Sequence, residues 1–166
     1  MPERAWWEDW LPTEPPELGP GRPQAAWRER LANLDLAAAF APQPIRDLPS
    51  ARCVHAGLWL CRDFLDEAHE ICQGIATPDG ASWHALVHRR EPDPDNAKYW
   101  FQRVAGHPAL AAVSAATGRP YLPSAFIDDC ELRRGTGTPA EAALRRTQLA
   151  ELRALLAHNA ARAKAP

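Results

Sequence analysis

Histidine and carboxylate residues cluster in the middle of the chain, at spacings that place them on shared helix faces. His84, His88 and Glu91 are four and three residues apart, and Asp66 precedes His69 by three. Such residues lie side by side on an α-helix, where two imidazoles can share a divalent metal ion. The pattern predicts that His69, His84 and His88 bind a metal such as zinc. All five residues are candidate catalytic residues, with Asp66 or Glu91 acting as a base toward bound water.

The same five residues also fit an arrangement without metal. Glu91 follows the second histidine of the pair, so the H-E-x-x-H motif of zinc peptidases is absent. Hydrogen bonds between the imidazoles and the carboxylates would satisfy these groups without an ion. In that case a histidine oriented by a carboxylate could still act as a general base. The sequence leaves both alternatives open.

Basic residues interleaved with aromatic residues surround this cluster. Arg89, Arg90, Lys98 and Arg103 fall within 15 positions, and Trp83 and the aromatic run 99–101 lie in the same segment. Guanidinium groups bind carboxylates or phosphates, and flat aromatic side chains can form the wall of a ligand pocket. We therefore predict that these four cations and Trp83 bind a small anionic ligand. The alternative is that Arg89 and Arg90 pair with nearby acidic residues of the protein and that the aromatic residues belong to the core.

The segment also carries a resemblance. Residues 83–108, WHALVHRREPDPDNAKYWFQRVAGHP, resemble the signature of an uncharacterised bacterial protein family. CRDFLDEAHEICQ at 61–73 is similar to a second phrase of that family, with Cys61 where the family has histidine, and YLPSAFIDDCE at 121–131 matches a third loosely. The resemblance covers residues 58–131 and implies no particular activity.

Composition excludes several classes of protein. The 166 residues carry 19 basic and 21 acidic side chains, a net charge of −2, which argues against a nucleic-acid-coating or membrane-surface protein. The sequence has no apolar run long enough to span a bilayer and no secretory signal pattern at its start, so we expect a soluble cytoplasmic protein. The four cysteines form no C-x-x-C pair and are expected to be reduced core residues.

The remaining pattern predicts an all-α, single-domain fold resembling a helical bundle. Residues 1–22 contain five prolines and are predicted to form an extended arm, with residues 23–166 as the domain. The three tryptophans of the arm either dock a partner or, as we favour, cover the domain itself. We expect the domain to fold without the arm.

Caps and apolar spacing predict five to eight helices. The predicted ranges are 23–31, 35–41, one long helix 50–74, 82–91, 94–105, 108–118, 123–134 and a final helix capped by Thr138.

Three functions remain compatible with the sequence. The first is a small hydrolase- or lyase-like enzyme acting on an anionic substrate, with or without a metal. The second is a protein that binds such a ligand without turnover. The third is an interaction protein in which the histidine and arginine cluster is a structural polar network. The sequence leaves the oligomeric state open.

Overall fold

The computed structural model describes residues 4–165, and these residues form an all-helical bundle-like fold. A short 3₁₀ helix, Trp6–Trp10, lies in the arm. The α-helices are α1 (Ala25–Ala32), α2 (Leu36–Phe40), α3 (Leu48–Cys61), α4 (Leu65–Gln73), α5 (Pro78–Arg90), α6 (Pro94–Gln102), α7 (Pro108–Thr117), α8 (Pro123–Arg133) and α9 (Pro139–Lys164). The predicted fold class is therefore confirmed.

Helix α3 forms the centre of the core. It packs against α4, α5 and α9, and most of its residues are buried. Gly57 is required at the crossing with α5, because a Cβ there would lie 2.5 Å from the ring of Trp83. All four cysteines are buried and free, as their apolar positions predicted.

The long helix predicted over residues 50–74 is wrong, because the chain breaks between α3 and α4. Asp63 adopts a left-handed conformation with φ of 66°. Arg90 stabilises this break by donating a hydrogen bond to the carbonyl of Leu60 and pairing with the carboxylate of Asp63. The break turns the chain so that α4 packs against both α3 and α5. This division gives nine α-helices within residues 4–165, one more than the upper end of the prediction.

The helix predicted to begin at Ser82 instead begins one turn earlier, at Pro78. Thr77 is its N-cap and accepts a hydrogen bond from the Gly80 amide at 3.1 Å. Ser82 lies inside the helix, where its hydroxyl donates to the Pro78 carbonyl. This extra turn carries Asp79 into the interior.

The arm covers the domain. Trp7, Leu11 and Leu18 are buried, and carbonyls of the arm accept hydrogen bonds from side chains of the helices. Of the two roles considered for the arm, the structure therefore shows it lying on its own domain. None of the helices within residues 4–165 has the length and apolar character needed to cross a membrane.

Candidate functional site

Three histidines from α4 and α5 come together at one point. His69 lies on α4, and His84 and His88 lie one turn apart on α5. The Nε2 atoms of His69 and His84 are 2.8 Å apart, and the three rings have centroids 4.7–5.0 Å from one another. Each imidazole offers a nitrogen within 4.8 Å of those of the other two. The sequence prediction placed these three residues in one site, and the structure brings them together.

The carboxylate of Glu91 contacts the Nδ1 atoms of two of these imidazoles, those of His69 and His88. Glu91 is the C-cap of α5, and its Oε1 lies 3.2 Å from Nδ1 of His69. Its Oε2 lies 3.0 Å from Nδ1 of His88, a close contact without the angle of a good hydrogen bond. A carboxylate at Nδ1 keeps the proton of His69 on that nitrogen, which leaves the lone pair on Nε2. That lone pair faces His84.

His84 is one of two buried members of the cluster, the other being His88. Burial, followed by the charges of His88 and His69, lowers the pKa of His84 to about 4. The ring is therefore neutral at pH 7 and has one nitrogen free to accept a proton or bind a metal. The ring of Trp100 lies against it, with centroids 4.3 Å apart and planes tilted by 30°.

A cavity of about 380 Å³ opens beside His84. Trp100 and Arg103 line it on the α6 side. The remaining walls are largely apolar and come from α4, the following loop and the start of α5, including Cys72, Ile75, Ala76, Pro78 and Ala81. The histidine cluster is therefore next to a space that could hold a small molecule.

Three other predicted site residues lie apart from the cluster. Asp66 is exposed on the first turn of α4 and makes no hydrogen bond or ion pair within residues 4–165. Lys98 pairs with Asp128 on α8. Trp83 is buried and donates a hydrogen bond to Asn159 at 2.7 Å. Trp83 therefore contributes to the core between α5 and α9.

Arg89 and Arg90 are fully buried and already paired within the protein. Burial disfavours the charge of Arg89, but Glu151 outweighs burial and raises the Arg89 pKa; the two side chains are 2.6 Å apart. Arg90 pairs with Asp63 and donates to the carbonyl of Gly19 in the arm. These contacts match the alternative in which both guanidinium groups serve the structure, although their partners are not the neighbouring acidic residues. Of the four predicted anion-binding cations, only Arg103 lines the cavity.

Sequence analysis missed a second histidine cluster. Asp79 Oδ1 lies 2.7 Å from Nε2 of His107 and 3.1 Å from Nε2 of His158, and Oδ2 lies 3.3 Å from Arg162. His107 is the N-cap of α7, and its Nδ1 accepts a hydrogen bond from the Ala109 amide. The proton of neutral His107 therefore lies on Nε2 and points at Asp79, so the ring has no free lone pair for a metal.

This second cluster connects α5, α7 and α9 and acts as a structural clamp. The only local sequence signal was the histidine before Pro108, which is an N-cap position. His158 is 79 positions from Asp79, and nothing local relates them.

No family model matches this chain, and no curated protein or solved structure matches it. The resemblance to a bacterial family described above therefore stays a prediction, and only the geometry of the site bears on the function.

Proposed function

We propose that this protein is a small metal-dependent hydrolase in which His69, His84 and His88 hold a divalent ion, zinc being the best match to three imidazoles. The observation that supports the proposal is the convergence of three imidazole nitrogens within 4.8 Å beside an open cavity. A ligating histidine typically donates its other ring N–H to a carboxylate, and Glu91 provides this for His69.

The chemistry follows from the number of ligands. Three protein ligands leave one position of a tetrahedral zinc site for water, whose pKa the ion lowers toward neutrality. The cavity beside His84 would let a substrate approach that position. Arg103 supplies the positive charge that selects an anionic substrate. Glu91 is a positioning residue in this scheme, because it contacts the imidazoles rather than the cavity.

The competing function is a protein that binds a ligand without turnover, with a metal-free histidine network. One observation favours it. The 2.8 Å separation of the two Nε2 atoms suits an N–H···N hydrogen bond if His84 keeps its proton there. In that arrangement His69 and His84 satisfy each other, and the cluster serves the fold.

Elemental analysis of purified, untagged protein distinguishes the two functions. The metal proposal expects one equivalent of zinc per chain, lost in His88→Ala. His158→Ala is the matched control, since it removes a histidine from the second cluster, which is predicted to bind no metal. Loss of zinc in His158→Ala but not in His88→Ala would show that the second cluster binds the metal, which would contradict the proposal. Absence of zinc in the wild type even after incubation with excess zinc would overturn the proposal.

The hydrolytic part needs a separate measurement. Zinc-loaded wild type and His158→Ala are expected to hydrolyse 4-nitrophenyl acetate or 4-nitrophenyl phosphate, and His88→Ala is expected to be inactive. The protein could instead bind zinc with full occupancy and hydrolyse none of a wider panel of esters. That result would confirm the metal site and contradict the proposal that the protein is a hydrolase.

A further inference from the structure

The cavity beside His84 combines an apolar interior with one cation. Its volume of about 380 Å³ is near the lower end of the range for small-molecule sites, roughly 300–1,000 Å³. Arg103 is the only charged side chain among the lining residues described above, apart from the titratable His84. A ligand that fills this space must therefore be small and largely apolar, with its charge at one end.

Arg103 is positioned by aromatic rings and keeps its charge available. It is the C-cap of α6, and its Nη1 donates to the Tyr99 hydroxyl at 3.3 Å. Its guanidinium carbon lies 5.5 Å and 5.7 Å from the ring centroids of Tyr99 and Trp100. These contacts orient the group without neutralising it, and within residues 4–165 no carboxylate pairs with it. The buried Arg89 and Arg90, by contrast, each have a carboxylate partner.

Trp100 lies between the charge and the histidines. Its indole contacts the His84 ring on one side and the Arg103 guanidinium on another, and it lines the cavity. A flat ligand body packed on this indole would extend from the guanidinium toward His84. Aromatic packing of this kind strengthens binding beyond the effect of the buried area alone.

We infer that the cavity binds a small aromatic carboxylate, with the carboxylate on Arg103, the ring against Trp100 and the far end of the molecule toward His84. A single guanidinium matches the single charge of a carboxylate in a bidentate pair. In the protein without metal, a phosphate dianion would keep one unneutralised charge against the largely apolar walls, which is costly. This inference rests on the proposed function for its reactive end and names the substrate class of that site.

The test uses benzoate as the probe and measures its binding by calorimetry to zinc-loaded and to chelator-treated full-length protein. Arg103→Gln is expected to weaken benzoate binding by about tenfold or more, the usual effect of losing a charge-assisted hydrogen bond. Arg133→Gln, which removes an exposed charge from α8, is the matched control and is expected to bind like the wild type. Arg103 is exposed, so the variant is expected to fold, and circular dichroism checks this.

The ring and the charge are tested apart. Benzyl alcohol, which lacks the carboxylate, and inorganic phosphate, which lacks the ring, are both expected to bind the chelator-treated protein more weakly than benzoate does. Equal binding of benzoate by Arg103→Gln and the wild type, or tighter binding of phosphate than of benzoate by the chelator-treated protein, would overturn the inference. No binding of benzoate to the wild type would overturn it as well.

The elemental analysis keeps this result separate from the proposed function. If the three histidines bind zinc but the protein does not bind benzoate, the inferred substrate class is contradicted and the proposed metal site is supported. If the protein binds benzoate through Arg103 but binds no zinc, the inferred ligand site is supported and the proposed metal-dependent hydrolase is contradicted.

Discussion

At the scale of the residue, Glu91 is the group on which the geometry of the histidine cluster depends. One carboxylate contacts Nδ1 of both His69 and His88, which belong to different helices. It fixes the proton of His69 and orients its ring toward His84. The outer shell of a metal site of this kind usually affects affinity strongly although it does not touch the ion.

We therefore predict that Glu91→Gln lowers zinc affinity by roughly 10- to 100-fold. The amide keeps the size of the side chain but loses the charge that holds both imidazoles. Competition with a chromophoric chelator measures the affinity. Glu70→Gln, an identical change at an exposed position of α4, is the control and is expected to keep wild-type affinity. Equal affinities for the two variants would show that Glu91 does not position the ligands.

The lowered pKa of His84 predicts a stability that depends on pH in metal-free protein. The unfolded chain binds a proton at His84 near pH 6.5, whereas the folded chain binds it only near pH 4. Between these values the unfolded state holds more protons, so the free energy of unfolding falls as pH decreases. Between pH 7 and pH 5 the titration of His84 is expected to lower the free energy of unfolding by about 2 kcal/mol.

Urea unfolding in the presence of a chelator tests this at both pH values. His84→Gln lacks the titrating group, so its stability is expected to fall less than that of the wild type over the same interval. An identical fall in both proteins would place the pH dependence elsewhere in the molecule.

At the scale of the element, helix starts that carry their own cap were predictable. Asp93 followed by Pro94 opens α6 as expected, since both signals are adjacent in sequence. Thr77 followed by Pro78 is the same signal and opens α5, whereas the prediction begins this helix at Ser82. A proline at the first helical position marks a helix start more strongly than a lone serine does.

The break between α3 and α4 was not predictable from local pattern. The apolar spacing continues through Cys61 and Leu65 as though one helix ran on, and both residues are buried. What ends α3 is Arg90, which binds the carbonyl of Leu60 and the carboxylate of Asp63 from about 30 residues away. A contact of that separation leaves no trace in helical periodicity.

The same limit explains the site. His84 and His88 share a face by spacing alone, so their proximity could be read from the sequence. The roles of Arg89 and Arg90 could not be predicted in this way, because their partners are remote in the chain. Arg89 pairs with Glu151, and Arg90 donates a hydrogen bond to a carbonyl of the arm.

Asp79 connects three helices, so its charge is expected to stabilise the fold. Burial raises the pKa of Asp79, but the His107 hydrogen bond and the charges of His158 and Arg162 outweigh burial and lower it. The stabilisation is therefore present at neutral pH and is lost as pH falls through the lowered folded pKa.

Asp79→Asn is predicted to lower the free energy of unfolding by about 3 kcal/mol at pH 7, measured by urea unfolding. Asp66→Asn, at an exposed position, serves as control, and an equal cost in both variants would contradict the clamp.

At the scale of the whole molecule, the arm is part of the domain. Removing residues 1–22 deletes the buried side chains of Trp7, Leu11 and Leu18. It also deletes the backbone carbonyls that accept hydrogen bonds from Arg62, Arg90 and Gln148. The buried guanidinium groups would then lose partners, which is strongly destabilising. The expectation from its prolines was a dispensable segment, and the contacts favour the opposite.

We predict that the protein lacking residues 1–22 has no cooperative unfolding transition at 25 °C. Chemical unfolding followed by circular dichroism measures this, with removal of residues 1–5, which precede the 3₁₀ helix, as the control. A cooperative transition with the wild-type midpoint in the longer deletion would show that the arm is dispensable after all.

The contacts between the arm and α9 also determine when the fold can be completed. Arg145 and Gln148 donate hydrogen bonds to the carbonyls of Pro15 and Pro16, across 129–132 residues of chain. The arm leaves the ribosome before α9 does, so these bonds cannot form until α9 has been made. Such long-range closure slows folding relative to a bundle with only local contacts. The arm is therefore made before α9 but is fixed in place only after it.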